Sequence, residues 1–479
     1  MDFTSSGFLI FVVAVTLLFH ANASAAYRSL VLSAANLVFI GSYVTHVWQL
    51  LPLVGFLVLG YAAVELARRR QSSAVVGGGV AIVVSVFVIL KRYSFLRDLP
   101  LLQFAYLQVG LSYILFRILH MIIDAGSGEF DKRVGVREFL DYNCNFLSFV
   151  SGPIQRFQDF SDSRRNLSQA AREDLVFEAC RRLVTGYFKV CVVSAIADHL
   201  FEGLKAACLS SGEALSWLNF TVRYLGAVAT YTAYLYYNFS GYMDVVIGIG
   251  ALLGQQLPEN FNRPFSARSF LEFWTRWHMT LSDWFKLYLF NPLVGFLVGK
   301  FPSRALGPYI GVAAYFVTFL VMGTWHGTTI VFLIYGLLMG AGASINKLWQ
   351  VWLMRRMGTK GYRKLGDHPA YAYLCRGMNS AYFCMAVTCL WVDLGQMTAI
   401  VKAIGAFGLL AAFALFTLCS VAVFLVQDLG GRLLSGKGDG IAVPRGFIVG
   451  NLGLAVRILV ILSVMSFFHK SPEFVYKAF

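Results

Sequence analysis

The chain has 479 residues, 58% of them hydrophobic and 14% charged, with a mean hydropathy of +0.65. A soluble domain carries roughly a quarter charged residues, so this composition leaves too little polar surface to solvate a globule. It excludes water-soluble enzyme folds, disorder, collagen and nucleic-acid modules.

The 40 Lys+Arg against 25 Asp+Glu, a net +15, cluster between apolar runs. Positive-inside bias and anionic headgroups produce that pattern, so the implied partner is membrane lipid and not nucleic acid. The eight cysteines contain no C-x-x-C pair and read as buried small hydrophobes.

In chain order, the first 25 residues lack a basic n-region and read as a retained first span. A spanning helix needs ~20 apolar residues. Apolar runs at 7–25, 29–46, 49–66, 74–90, 100–123, 183–203, 217–237, 241–256, 306–324, 327–346, 379–396, 400–426 and 447–468 predict eleven to thirteen crossings. The fold class is therefore all-α, a polytopic transmembrane protein. Arg68, Arg69 and Arg70 end one span, nine basic residues fall in 124–182, and the 347–378 loop has seven against one acid, Asp367. Placing these three stretches in the cytoplasm is the consistent choice, with the N-terminus outside if three helices precede Arg68.

Two connections have a composition of their own, which is where function tends to sit. The 124–182 segment is too polar to span and carries the breaker Ser151-Gly152-Pro153. The 257–292 segment is dense in aromatics and charges, and predicts a helix over 266–290. On it Trp274, Trp277, His278, Leu281, Phe285 and Leu289 share one face, and Arg268, Glu272 and Arg276 another. Such a helix belongs at the membrane interface or re-entering it. His278 then either rests on a backbone carbonyl or is held inside the protein to handle a proton.

Between Arg304 and Lys347 there is no Asp, Glu, Lys or Arg, and the one side chain that titrates near neutrality is His326, in Gly323-Thr324-Trp325-His326-Gly327. Ionisable groups in membrane segments usually face a polar cavity. The 42 intervening residues suit two spans with His326 at the corner, where the glycines would admit another backbone or a narrow ligand chain. An interfacial histidine in a tight turn is the other reading. No histidine spacing suits a metal.

Asn260-Phe261-Asn262-Arg263-Pro264-Phe265, Glu272-Phe273-Trp274, Arg276-Trp277-His278-Met279-Thr280-Leu281-Ser282 and Trp284-Phe285 resemble the signature of the membrane-bound O-acyltransferase family. Trp325-His326-Gly327 is similar to its histidine motif. Tyr237-Asn238-Phe239-Ser240-Gly241-Tyr242-Met243-Asp244 and Ser151-Gly152-Pro153-Ile154 match upstream, so the resemblance runs over roughly 90–350. It is closest to the bacterial branch of alginate and peptidoglycan O-acetyltransferases and the teichoic-acid D-alanyl transfer protein. Tyr237 and Asn238 depart from the usual Cys-Asp, removing one carboxylate. Phe474-Val475-Tyr476-Lys477-Ala478-Phe479 is similar to a terminal motif of this branch, but the favoured reading is an ordinary interfacial aromatic tail.

The resemblance implies re-entrant helices around a central tunnel, and three regions: N-terminal helices over 1–123, a core over 124–350 and C-terminal helices over 351–479. It implies transfer of an acyl group, acetyl foremost, from a cytoplasmic thioester to a hydroxyl. The donor would be acyl-CoA (acetyl-CoA foremost) or an acyl-carrier thioester, with no tightly bound cofactor. The acceptor would be an extracytoplasmic polysaccharide or cell-wall glycan, reached directly or through a periplasmic acyltransferase partner, at the bacterial cytoplasmic (inner) membrane. His326 is then the general base and His278 an assisting or positioning group. Asn260, Thr324 and Trp325 are candidate oxyanion donors, and Trp274, Trp277, Trp284, Tyr237, Asn238 and Ser240 line the substrate path. A transporter, flippase or export scaffold is the alternative. Repeated halves would mark a transporter, whereas the polar intramembrane features here cluster in 232–330.

Overall fold

The computed structural model describes residues 1–96, 104–130, 132–165, 173–209, 216–435 and 445–467, so the C-terminal aromatic sequence lies outside the described residues. Among them the secondary structure is helical, relieved by one isolated antiparallel bridge between Phe261 and Trp277. Six helices are long and apolar enough to cross a membrane: Val47–Arg70, Ser73–Lys91, Val176–Leu209, Gly307–His326, Ile330–Asp367 and Leu394–Gly430. Ser6–His20, Ala25–Gly41 and Gly453–Met465 are apolar but shorter.

Among the described residues these six, with the three shorter apolar helices, account for part of the eleven to thirteen expected crossings, and the structure differs from the apolar runs in two places. The runs 217–237 and 241–256 form one continuous helix, Trp217–Leu252, rich in tyrosine and threonine. Of the run 100–123, residues 111–123 lie in Leu111–Gly126, a 16-residue helix with fourteen residues buried, Arg117, His120 and Asp124 among them. A helix covered on all sides is interior to the protein, and its apolar content reports packing and not lipid contact. The expected 347–378 loop is also helical: Ile330–Asp367 runs through it, bending at Gly358 (φ 68°), and Pro369–Ala386 follows at once.

The chain forms two compact units. One takes Met1–Cys191, Asn238–Glu259 and the residues from Ile461; the other takes Val192–Tyr237 and Asn260–Val460. In the first, Arg117 is buried and donates to the carbonyls of Asn143 (2.8 Å) and Ser148, tying the 143–148 turn to the Leu111–Gly126 helix. Asp244 forms ion pairs with Lys189 (2.6 Å) and Arg182 (3.1 Å), so the last carboxylate of the 237–244 motif holds helices together.

In the second unit, Gly307–His326 and Ile330–Asp367 form a hairpin whose 305–346 stretch carries no formal charge. A Cβ on Gly323 would collide with the Gly336 backbone, and one on Gly336 would sit 2.8 Å from the Leu320 oxygen. The glycines therefore admit the opposing helix and not a ligand chain. Outward-facing Phe407, Leu410 and Leu418 are exposed on the Leu394–Ser435 helix, which suits a surface in contact with lipid. Of the cysteines, Cys191, Cys208, Cys384 and Cys389 are buried as expected, whereas Cys180 and Cys419 are exposed.

Candidate active site

The 257–292 segment is not the single helix its periodicity suggests. Ser269 accepts the Glu272 N–H (3.1 Å) and the Glu272 carboxylate reaches back to the Arg268 N–H (2.8 Å), starting a short helix, Phe270–Trp274. It stops because 276–279 pairs with 260–262: Asn262 N–H donates to the Arg276 carbonyl and Met279 N–H to the Asn260 carbonyl, each at 2.9 Å. The chain turns through His278 in the left-handed region (φ 44°, ψ 53°) before Met279–Phe285 begins. Non-glycine residues are uncommon there, with histidine among those enriched.

This fold-back builds a small polar site. His278 and Asn260 are both buried, and His278 Nδ1 lies 3.2 Å from Asn260 Oδ1. The same oxygen accepts from the Thr280 N–H (3.1 Å) and hydroxyl (2.9 Å). Its partner is thus a side-chain amide rather than the backbone carbonyl of the simpler sequence reading. Asn260 Nδ2 and Trp274 Nε1 are buried donors with no hydrogen-bond acceptor among the described residues.

His326 is the last residue of Gly307–His326 and is buried at the corner of the hairpin. Its ring packs edge-on against Trp325 (4.8 Å) and Tyr335 (5.7 Å). The two imidazoles are close enough to interact electrostatically. Burial first, and then the neighbouring His326, hold the His278 ring well below the ordinary imidazole range.

Most of the aromatic candidates belong to a wall of packed rings in the same unit. Trp277 packs on Phe383 (4.8 Å) and Phe261 (5.1 Å), and Trp274 on Phe319 (4.9 Å). Tyr237 is half-buried with its ring against Tyr236 (5.1 Å), which in turn touches Trp277. Trp284 is half-buried and lies on Tyr288 (5.2 Å). The Thr324 hydroxyl donates to Val321 O (2.9 Å) within its own helix, which occupies the proton an oxyanion would need. Asn238 and Ser240 are buried in the other unit.

Thr280, Tyr335, Phe319 and Phe383 were not read from the sequence. Thr280 lies within the quoted motif and could have been found there, whereas the other three meet the site only through tertiary packing. A cavity of about 710 Å³ in the same unit, lined by Arg268, Trp349, Arg363, Tyr371 and Met378 among others, is not lined by either histidine.

The family model described as MBOAT, the membrane-bound O-acyltransferase family, matches residues 97–390, further toward the C-terminus than the motifs alone suggested. The chain belongs to this family. A probable alginate O-acetylase of Pseudomonas fluorescens is 30% identical over 362 residues, covering 72% of this chain and 66% of that protein. A teichoic acid D-alanyltransferase of Streptococcus thermophilus is 33% identical over 269 residues, 54% of this chain and 61% of that protein. One from Bacillus subtilis is 28% identical over 304 residues, covering 61% and 71%. The chain thus spans just under two thirds of the length of the first two of these relatives. Both histidines, Asn260 and the aromatic wall fall inside the region matched to the membrane-bound O-acyltransferase family.

Proposed function

We propose that this chain is an integral membrane O-acyltransferase that moves a short acyl group, acetyl foremost, from a cytoplasmic thioester to a hydroxyl of an extracytoplasmic glycan. The donor is acyl-CoA or an acyl-carrier thioester. Delivery runs directly to the glycan or through a periplasmic acyltransferase partner, at the bacterial cytoplasmic membrane. The observation that carries this reading is a pair of buried imidazoles that act on each other electrostatically, one at the corner of a hairpin whose 305–346 stretch has no formal charge, in a chain of this family.

A hydroxyl is a poor nucleophile near neutral pH and needs a base as it attacks. His326 takes the hydroxyl proton as the oxygen bonds to the acyl carbon. The C–S bond then breaks with its electron pair going to sulfur, and the imidazolium returns the proton to the thiolate. Asn260 Nδ2 and Trp274 Nε1 are the buried donors available to the oxyanion of the tetrahedral intermediate. The apolar surround keeps water from competing as acceptor.

The test is thiol release from acetyl-CoA and acyl-carrier donors by the purified protein in lipid discs. Mass spectrometry of envelope glycans with and without a functional gene accompanies it. His326-dependent release and loss of an ester on the glycan are expected. A protein that turns over no thioester, with unchanged glycans, overturns the reading.

A further inference from the structure

Asn260 and His278 lie 18 residues apart in sequence and meet through the pairing of 260–262 with 276–279. Which end of the Asn260 amide is the oxygen follows from chemistry, because the Thr280 backbone N–H can only donate and points at the atom 3.1 Å away. That atom is therefore the carbonyl Oδ1. An amide oxygen can only accept, so the His278 nitrogen 3.2 Å from it must carry the hydrogen.

We propose that Asn260 is a positioning residue that locks His278 in its Nδ1–H form and leaves the lone pair on Nε2. His278 then takes part in acyl transfer as a hydrogen-bond acceptor or proton acceptor through that one nitrogen. The class of group it serves is a hydroxyl or thiol, and the lock keeps it from presenting an N–H at Nε2 in its neutral state. The left-handed backbone at His278 supports this, since the chain adopts an uncommon conformation (φ 44°) that sets the ring beside the amide. Thr280 completes the device: its N–H and hydroxyl hold the amide oxygen from the other side. His326 is the titratable group that acts on His278 electrically.

This inference deepens the acyltransferase reading and rests on it for the reaction, but the lock itself is testable without turnover. Nitrogen-15 NMR of histidine-labelled protein in lipid discs, with His278→Gln to identify the signal, reports which ring nitrogen is protonated. Protonated Nδ1 and bare Nε2 are expected in the wild type. Bare Nδ1 overturns the proposal even if the enzyme is active.

In kinetics, Asn260→Leu removes both the acceptor and the Nδ2 donor assigned to the oxyanion, so the informative variant is one that keeps a partner for the His278 ring. Asn260→Asp replaces the Nδ2 donor, so kcat falls in any case. The carboxylate favours the protonated ring, so the acid limb of the kcat/KM profile should move to higher pH than in the wild type. An unmoved limb overturns the positioning role. A wild type with the expected tautomer and no thioester turnover would instead sink the acyltransferase reading and leave the lock standing.

Discussion

At the scale of single residues, the two histidines differ in how their surroundings fix them. His278 is held by one amide oxygen and a turned backbone, whereas His326 is set by its place at the end of a helix and by the rings of Trp325 and Tyr335. Replacing His326 with alanine should lower turnover by about 10²–10⁴, the usual contribution of a general base, while the protein accumulates in the membrane at wild-type level. Initial rates of thiol release against immunoblot yield give that comparison, and an unchanged rate would remove His326 from the chemistry. Arg117 is a residue of a different kind. Its guanidinium satisfies the buried carbonyls of Asn143 and Ser148, and Arg117→Met leaves them unpaired. An unpaired buried polar group costs about 1–3 kcal/mol, so the melting temperature in detergent should fall clearly. A melt matching the wild type would show that the carbonyls find other donors.

At the scale of elements, the hairpin and the fold-back were legible to different degrees. The hairpin could be read because a stretch without formal charges, long enough for two spans and carrying a histidine at its middle, has few alternatives. Its closeness is carried by Gly323 and Gly336. Gly336→Ala places a Cβ 2.8 Å from Leu320 O and should cost about 1–3 kcal/mol through overpacking. Gly311→Ala, on the other arm of the hairpin, meets open space and serves as the control. Paired thermal melts and turnover rates should separate them, and equal behaviour would contradict the close crossing. The fold-back was not legible, because 266–290 carries a helical period. The hydrogen bonds that interrupt it come from Asn260 and Asn262, outside the window over which periodicity is counted. The apolar face survived as burial of Trp274, Trp277, His278, Leu281 and Phe285, while the helix that was to present it did not.

At the scale of the whole molecule, sequence order and compact units do not run together, since the helix Trp217–Leu252 contributes to both. No window read along the chain reveals that. What the sequence does carry is sidedness. Three helices, Ser6–His20, Ala25–Gly41 and Leu51–Arg70, lead up to the Arg68–Arg70 cluster, and the positive-inside bias then predicts the 42–46 connection outside and the basic 347–378 stretch inside. In a cysteine-free background, Thr45→Cys should react with an impermeant maleimide added to intact spheroplasts. Lys360→Cys, at an exposed position, should react only in inverted vesicles. The reverse pattern would invert the topology and place the thioester on the wrong face.

The bare-backbone crossing of the hairpin has a practical corollary for anyone wishing to retailor the reaction. Where Gly323 meets Gly336 there is no side chain left to trim, so the gap between the two arms cannot be widened by mutation. On the proposed reading, room for a longer acyl tail would instead be carved from the bulky neighbours of the corner. Phe332, whose ring lies against Gly327, is the first one to shave.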